Sequence, residues 1–64
     1  MNNFKRARLI AGMTQSELAE KIGVTVVSVH QWESGRNLPK VKRLKSVAEA
    51  LNTTVEYLLE GKIA

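Results

Sequence analysis

Residues 14–33 read TQSELAEKIGVTVVSVHQWE and predict two short helices joined by a tight turn. Thr14 is a good N-cap, and Glu17 lies three residues later, so the two residues can form a capping box. Gly23 follows the apolar face of the first helix, at the position where a left-handed residue ends a helix. Thr25 can then cap the second helix. The two helices are expected over residues 15–22 and 26–33.

The second helix of this stretch has a competing local interpretation. β-Branched residues dominate VTVVSV, residues 24–29, and such residues are poor helix formers that favour strands. Val29 and Trp32, however, lie three residues apart, which is the spacing of one helix face. Gly35 follows as a stop signal for a helix. A helix docked on a core is therefore the prediction, and a strand is the rejected alternative.

The spacing inside this stretch is typical of a helix-turn-helix. Ala19 must be small because the second helix crosses over it, and Gly23 supplies the backbone geometry of the turn. Val24, Val29 and Trp32 are expected to anchor the second helix to the core. The residues left on its outward face are Val26, Val27, Ser28, His30 and Gln31. A helix held in this way can enter a DNA major groove.

Three further helices are expected at residues 3–11, at residues 41–50 and after Thr53 or Thr54. Each of these segments has apolar residues at the spacing of one helix face. The expected core-facing residues of the first and fourth helices are Phe4, Ala7, Ala11, Val41, Leu44, Val47, Ala48 and Leu51. Gly61 is expected to end the fifth helix, and residues 62–64 are expected to fray.

Composition limits the classes of function. The chain has 64 residues and a net charge of +4. We expect one domain, residues 1–64, and the charge favours a polyanionic partner such as nucleic acid. The chain has no cysteine and one histidine, so no disulfide, metal site or cofactor is expected. No apolar run approaches the roughly 20 residues that span a bilayer, so we expect a soluble, cytoplasmic protein.

Catalysis is not expected. A nucleophile needs an activating base and an orienting group within reach. His30 is the only histidine, and it lies on the outward face of its helix. No carboxylate pair or glycine-rich phosphate loop is present in the sequence. We therefore predict that the protein is not an enzyme.

The cations form two groups, Lys5, Arg6 and Arg8 near the start and Arg36, Lys40, Lys42, Arg43 and Lys45 after the helix-turn-helix. Cations at the N-terminus of the fourth helix oppose its macrodipole, so their placement does not serve helix stability. Contact with phosphate would explain it, because a helix N-terminus also favours anions. An ordinary solvated face is the alternative.

Three segments of the chain resemble one family. They read GMTQSELAEKIGV (residues 12–24), VHQWESGRNLP (residues 29–39) and VAEALNTTVEYLL (residues 47–59). They are similar to the phage repressor and Cro proteins, also called the xenobiotic-response-element family of bacterial regulators. The resemblance implies an all-α, compact five-helix bundle of the lambda-repressor-like DNA-binding type. It also implies a sequence-specific regulator, expected to be a repressor, that inserts its third helix into the major groove of double-stranded DNA.

The resemblance implies roles for three polar residues. Arg8 should form an inward ion pair with Glu33, although a solvated surface cation is the alternative. Gln15 should bond a backbone phosphate and brace the recognition helix, although it could serve only to begin its own helix. The expected DNA-backbone contacts as a set are Gln15, Thr25, Arg36, Lys40, Lys42 and Arg43.

Base contacts are expected from the start of the third helix. Val26 and Val27 can touch the methyl group of thymine, an apolar contact that discriminates between bases. Packing of one valine beside Met13 or Trp32 is the alternative. Gln31 can donate and accept together at the major-groove edge of adenine. Ser28 can bond a base or a phosphate.

The fifth helix carries more apolar groups than one narrow face holds. Val55, Tyr57 and Leu59, with Ile63, therefore predict a weak two-fold homodimer that forms fully on DNA with inverted half-sites. An alternative function uses the same fold, since antitoxins and interaction modules sequester a protein partner. Salt-sensitive binding to a specific duplex would distinguish DNA binding from tight binding to a protein.

Overall fold

Threonine caps begin three of the helices in the described part of the chain, and a left-handed glycine ends two of them. A computed structural model describes residues 2–60, which contain five α-helices and no strand. The helices are α1 (Phe4–Ile10), α2 (Gln15–Ile22), α3 (Val26–Ser34), α4 (Val41–Ala50) and α5 (Val55–Leu59). Within that range the protein is all-α, as predicted, and residues 24–29 do not form the alternative strand.

Three helices begin at a threonine whose hydroxyl accepts a backbone N–H from three residues further on. For α2 this bond joins Thr14 Oγ1 and Glu17 N at 3.0 Å, and the Glu17 carboxylate accepts the Thr14 N–H at 2.8 Å. The predicted capping box is thus present. Thr25 and Thr54 cap α3 and α5 in the same way, without the returning carboxylate. Each cap satisfies a backbone donor that the helix leaves unpaired.

The observed boundaries follow the predicted ones closely. The bounds of α2 and α4 are those predicted, and α3 extends to Ser34. The helix α1 is shorter than predicted, because Asn3 and Ala11 are its caps. The expected helix end at Gly61, the frayed end at residues 62–64 and the contribution of Ile63 lie outside the described residues.

Two asparagines before α1 tie its start to other helices. The Asn2 amide donates to the Trp32 carbonyl at 2.9 Å, and the Asn3 amide donates to the Tyr57 carbonyl at 3.0 Å. Asn2 Oδ1 also accepts the Phe4 N–H at 3.1 Å. The first turn of α1 is therefore joined by hydrogen bonds to α3 and α5.

The core lies between all five helices. Its buried apolar residues are Phe4, Ala7, Leu18, Ala19, Val29, Trp32, Leu44, Val47, Ala48, Leu51 and Leu58. The rings of Phe4 and Trp32 lie 6.2 Å apart between centroids, tilted by 42°. The helix α3 packs against α2 and α1, and α4 packs against α2 and α5. None of the helices in residues 2–60 is long and apolar enough to cross a membrane.

Two residues predicted to face the core are exposed instead. Ala11 is the C-cap of α1, and Gly12 after it has a φ of 73°, so the chain has already left the helical path there. Val41 is the first residue of α4 and is 71% exposed. Helical spacing places each residue on the apolar face of its helix. Both residues lie at a helix end, however, and the core does not cover those ends.

We expect α5 to contribute its stability through Leu58, which is fully buried. Leu58→Ala should lower the free energy of unfolding by about 2–5 kcal/mol, because it removes buried methyl groups and leaves a cavity. Leu9→Ala is the matched control, since Leu9 is 58% exposed. Urea denaturation measures both variants, and equal small losses would show that α5 is not part of the cooperative core.

Candidate nucleic-acid interface

The outward face of α3 is held in place by the burial of its opposite face. Val29 and Trp32 are buried, whereas Val26 is 42% and Val27 58% exposed. His30 is exposed, and Ser28 and Gln31 are half-buried. The predicted base-contacting residues therefore lie along one accessible surface of a docked helix.

Val26 lies at the edge between α3 and α2. Together with Met13, Gln15 and Ser16 it lines a shallow hollow beside the start of α2. Val26 and Met13 thus line one hollow, as the packing alternative expects, but the side chain of Val26 stays exposed. Val27 has the more accessible side chain of the two.

A buried ion pair joins α1 to the last turn of α3. Arg8 Nε donates to Glu33 Oε2 at 2.6 Å, and Arg8 Nη2 donates to Glu33 Oε1 at 3.2 Å. The two side chains are only 8% and 6% exposed. Arg8 Nη1 donates to the Met13 carbonyl at 2.8 Å, in the loop that leads to α2. The pair that the resemblance implied is present, and Arg8 is not a solvated surface cation.

The carboxylate of Glu33 favours the charged form of Arg8. The hydrogen bond to Glu33 raises the pKa of Arg8 above its ordinary value, burial lowers it, and the charge of Glu33 raises it further. A basic group whose pKa is raised by folding stabilises the folded state at every pH below its ordinary pKa. This contribution is lost only when the pH rises through the higher pKa of the folded state. The arginine end of the pair should therefore not titrate in the pH range where proteins are handled.

Gln15 joins the same network from α2. Its Nε2 donates to Glu33 Oε1 at 3.0 Å, so one carboxylate receives hydrogen bonds from α1 and α2. Gln15 thus braces the end of α3 and does more than begin its own helix. An amide nitrogen carries two hydrogens, so a donor remains for a phosphate.

The cations at the start of α4 surround one shallow hollow, which is lined by Lys40, Lys42, Arg43 and Ser46. Arg43 Nη1 also donates to the Ile22 carbonyl at 2.7 Å. This bond satisfies a carbonyl at the C-terminus of α2, where a cation is also favoured by the helix dipole. Arg43 therefore holds α4 against the end of α2, a structural role that the sequence did not indicate.

The candidate backbone-contacting residues flank α3. Thr25 caps its start, and Arg36 follows its C-cap, Gly35. Gln15 reaches its last turn through Glu33, and Arg43 lies against the end of α2, just before the turn into α3. Thr25 and Arg43 thus lie near the start of α3, and Gln15 and Arg36 lie near its end.

Sequence reasoning missed two further features of this surface. Lys5 and His30 line a shallow hollow with Gln15, Glu33 and Ser34, so a cation of α1 lies beside the recognition face. Asn37 donates a hydrogen bond to the side chain of Gln31 at 3.1 Å. Gln31 and Asn37 are six residues apart, which is not the spacing of one helix face, so helical periodicity does not predict their contact.

The comparison with protein families agrees with this geometry. The helix-turn-helix family model matches residues 4–58, which include α1 to α4 and all of α5 except its last residue. The chain therefore belongs to the helix-turn-helix family of Cro/C1-type, DNA-binding transcriptional regulators, as the resemblance implied.

Several curated relatives are regulators. The chain is 34% identical over 62 residues to the HTH-type transcriptional activator BcrR of Enterococcus faecalis, covering 94% of this chain and 30% of the relative. It is 32% identical over 60 residues to the uncharacterized HTH-type transcriptional regulator YqaE of Bacillus subtilis, covering 94% and 52%. It is 36% identical over 45 residues to the cryptic phage CTXphi transcriptional repressor RstR of Vibrio cholerae, covering 70% and 40%.

These relatives define the class of the domain. The chain spans between 30% and 52% of their lengths. Their names describe regulators and not enzymes. One is an activator and another a repressor, so the family alone leaves the direction of regulation open.

We expect the buried ion pair to contribute strongly to stability. Glu33→Ala should lower the free energy of unfolding by about 3–5 kcal/mol, because it leaves the Arg8 guanidinium buried without its counter-charge. Glu20→Ala is the control, since Glu20 is an exposed carboxylate in α2. Urea midpoints compare the two variants, and small, equal shifts would contradict a stabilising role for the pair.

Proposed function

We propose that this chain binds duplex DNA at a specific sequence, with α3 in the major groove, and thereby represses transcription. The observation that carries the proposal is the exposed face of α3. That face is kept accessible while Val29 and Trp32 bury the other side and Glu33 anchors the last turn. Such a helix has the size and rigidity that the major groove admits.

Electrostatics would supply most of the affinity. The net charge of +4 attracts a polyanion, and the cations beside the start of α4 surround a shallow hollow that a phosphate could occupy. Gln15, Thr25, Arg36, Lys40, Lys42 and Arg43 are the residues that we assign to the backbone. These contacts set orientation on the duplex and carry no sequence information.

Base recognition is assigned to Val26, Val27, Ser28 and Gln31. Two exposed valines at the start of a recognition helix suit thymine methyl groups. Ser28 shares a hydrogen bond with the Thr25 hydroxyl at 3.1 Å, so the two hydroxyls can act as one polar unit at the start of α3. Gln31 lies further along the same face and supplies an amide for adenine.

We infer a homodimer on DNA with inverted half-sites. Val55, Tyr57 and Leu59 are half-buried and pack against the core with part of each side chain, which leaves the rest to meet a second copy. Two recognition helices related by a two-fold axis would contact half-sites about 34 Å apart, one turn of DNA. Repression is favoured because occupancy of a promoter suffices for it, whereas activation requires a further contact surface.

An antitoxin or protein-interaction module is the second candidate. It is favoured by Leu9 and Ile10, which are 58% and 75% exposed on α1. A protein partner could cover them. Leu9 also lines the hollow that contains Gln15 and Val26, so a partner there would compete with DNA. Duplex binding that falls steeply with salt supports the first candidate, and tight binding to a protein without any duplex preference supports the second.

Selection of bound duplexes from a random DNA pool tests the first candidate. We expect enrichment of one sequence with inverted half-sites, and affinity for it should fall as salt rises. Lys42→Ala should weaken binding to every duplex alike and lower the salt slope by roughly one unit. Lys45→Ala is the control, because Lys45 lies on the same helix but outside the hollow.

Three results would contradict these assignments. An unenriched pool would end the proposal of sequence-specific binding. An enriched site without internal symmetry, bound by one subunit, would contradict the dimer. A changed base preference with an unchanged salt slope in Lys42→Ala would remove Lys42 from the phosphate contacts.

Replacing thymine by uracil, one position at a time, tests the valines. Burial of a valine against a methyl group stabilises by of order 1 kcal/mol at about 25 cal/mol per Å². At the contacted thymine, uracil should weaken the wild type but scarcely affect the matching variant, Val26→Ala or Val27→Ala. If no uracil weakens wild-type binding, the valines do not recognise methyl groups.

A further inference from the structure

Gln31 holds the loop that follows α3. Its backbone carbonyl accepts the Arg36 N–H at 3.0 Å and the Ser34 hydroxyl at 3.0 Å. Its side-chain oxygen, Oε1, accepts Asn37 Nδ2 at 3.1 Å. Gly35, with a φ of 80°, turns the chain between these partners. The main chain next to Asn37 is therefore fixed against the same residue that its side chain contacts.

We propose that Asn37 is a positioning residue for base recognition and that it orients the Gln31 amide toward adenine. The inference rests on the proposed function, in which Gln31 contacts a base. The Asn37 side chain is exposed and lies outside the helices, so neither burial nor helix capping accounts for its bond to Gln31. Its sequence position indicates only a turn former.

The chemistry of a primary amide explains what the bond does. A glutamine amide presents a carbonyl oxygen with two lone pairs and a nitrogen with two hydrogens. Without a partner, the Gln31 amide can rotate so that its oxygen and its nitrogen exchange positions. Either a donor or an acceptor could then face a given base. The Asn37 donor occupies one lone pair of Oε1, so an isolated flip of the Gln31 amide would place two donors against each other.

The groups that remain on Gln31 match one base edge. The second lone pair of Oε1 can accept the N6 hydrogen of adenine, while Nε2 donates to N7. Asparagine is suited to hold this arrangement because its side chain is short and the N–H of the preceding residue, Arg36, is bonded to the Gln31 carbonyl. Glutamine is longer and loses more rotational freedom when it is ordered. Asn37 orders it before DNA arrives, so less of that cost falls on binding.

The test compares base preferences of variants on the selected duplex. Asn37→Ala should lower the preference for adenine at the Gln31 base pair by about two- to tenfold, the effect of one hydrogen bond. Preferences at other positions and the salt slope should stay as in the wild type. Asn37→Asp should lower it at least as much, because a carboxylate cannot donate to Oε1 and attracts Nε2 instead.

Two controls separate positioning from other roles. In a Gln31→Ala background, Asn37→Ala should have no effect on that base pair, since the two residues act through one contact. Arg36→Ala, in the same loop, should weaken all duplexes alike and reduce the salt slope. Urea midpoints of the Asn37 variants should match the wild type, because the side chain is exposed.

The outcomes distinguish this inference from the proposed function. If the wild type binds no duplex, both fail. If the wild type binds its selected site and Asn37→Ala keeps the full adenine preference, only this inference fails. If Asn37→Ala weakens every duplex alike without changing the base preference, Asn37 contacts the DNA backbone and does not orient Gln31; its uncharged amide would leave the salt slope unchanged in that case.

Discussion

The buried contact between Arg8 and Glu33 is the constraint on which the rest of the structure depends. One guanidinium bonds the carboxylate at the end of α3 and the carbonyl of Met13, and Gln15 bonds the same carboxylate from α2. Three helices and a loop thus meet at one charge pair. Desolvating two charges is costly, and their attraction offsets this cost only when the geometry is good and the remaining donors are bonded. The orientation of α3 relative to α1 and α2 is therefore fixed by polar hydrogen bonds as well as by apolar packing.

The helix that we propose meets DNA, α3, is stabilised at its two ends by different means. Its last turn is held by Glu33, and its first turn is capped by the Thr25 hydroxyl. This matters because VTVVSV has little intrinsic tendency to be helical. Tertiary contacts, and not local propensity, supply the stability of α3. They leave its outer face free for the residues that we propose for base recognition, such as Val26 and Val27.

Sequence reasoning succeeded where the signal is local. The Thr14–Glu17 capping box, the stop at Gly23 and the bounds of α2 and α4 all depend on neighbouring residues. It failed at Ala11 and Val41 because periodicity assigns a face but does not show where the core ends. The Arg8–Glu33 pair came from the family resemblance, since nothing local links residues so far apart. The contacts Arg43–Ile22 and Asn37–Gln31 depend on how helices dock and how loops turn, so no sequence pattern predicts them.

Trp32 gives the molecule an internal optical reporter. It is the only tryptophan in the sequence, and it lies in the helix proposed to meet DNA, with its ring against Phe4 on the buried side. Its carbonyl is also bonded by Asn2, so loosening of the first turn of α1 would reach the same residue. The fluorescence of this ring should follow the undocking of α3 from the core. A ligand bound on the opposite face would alter that emission only by shifting the helix itself.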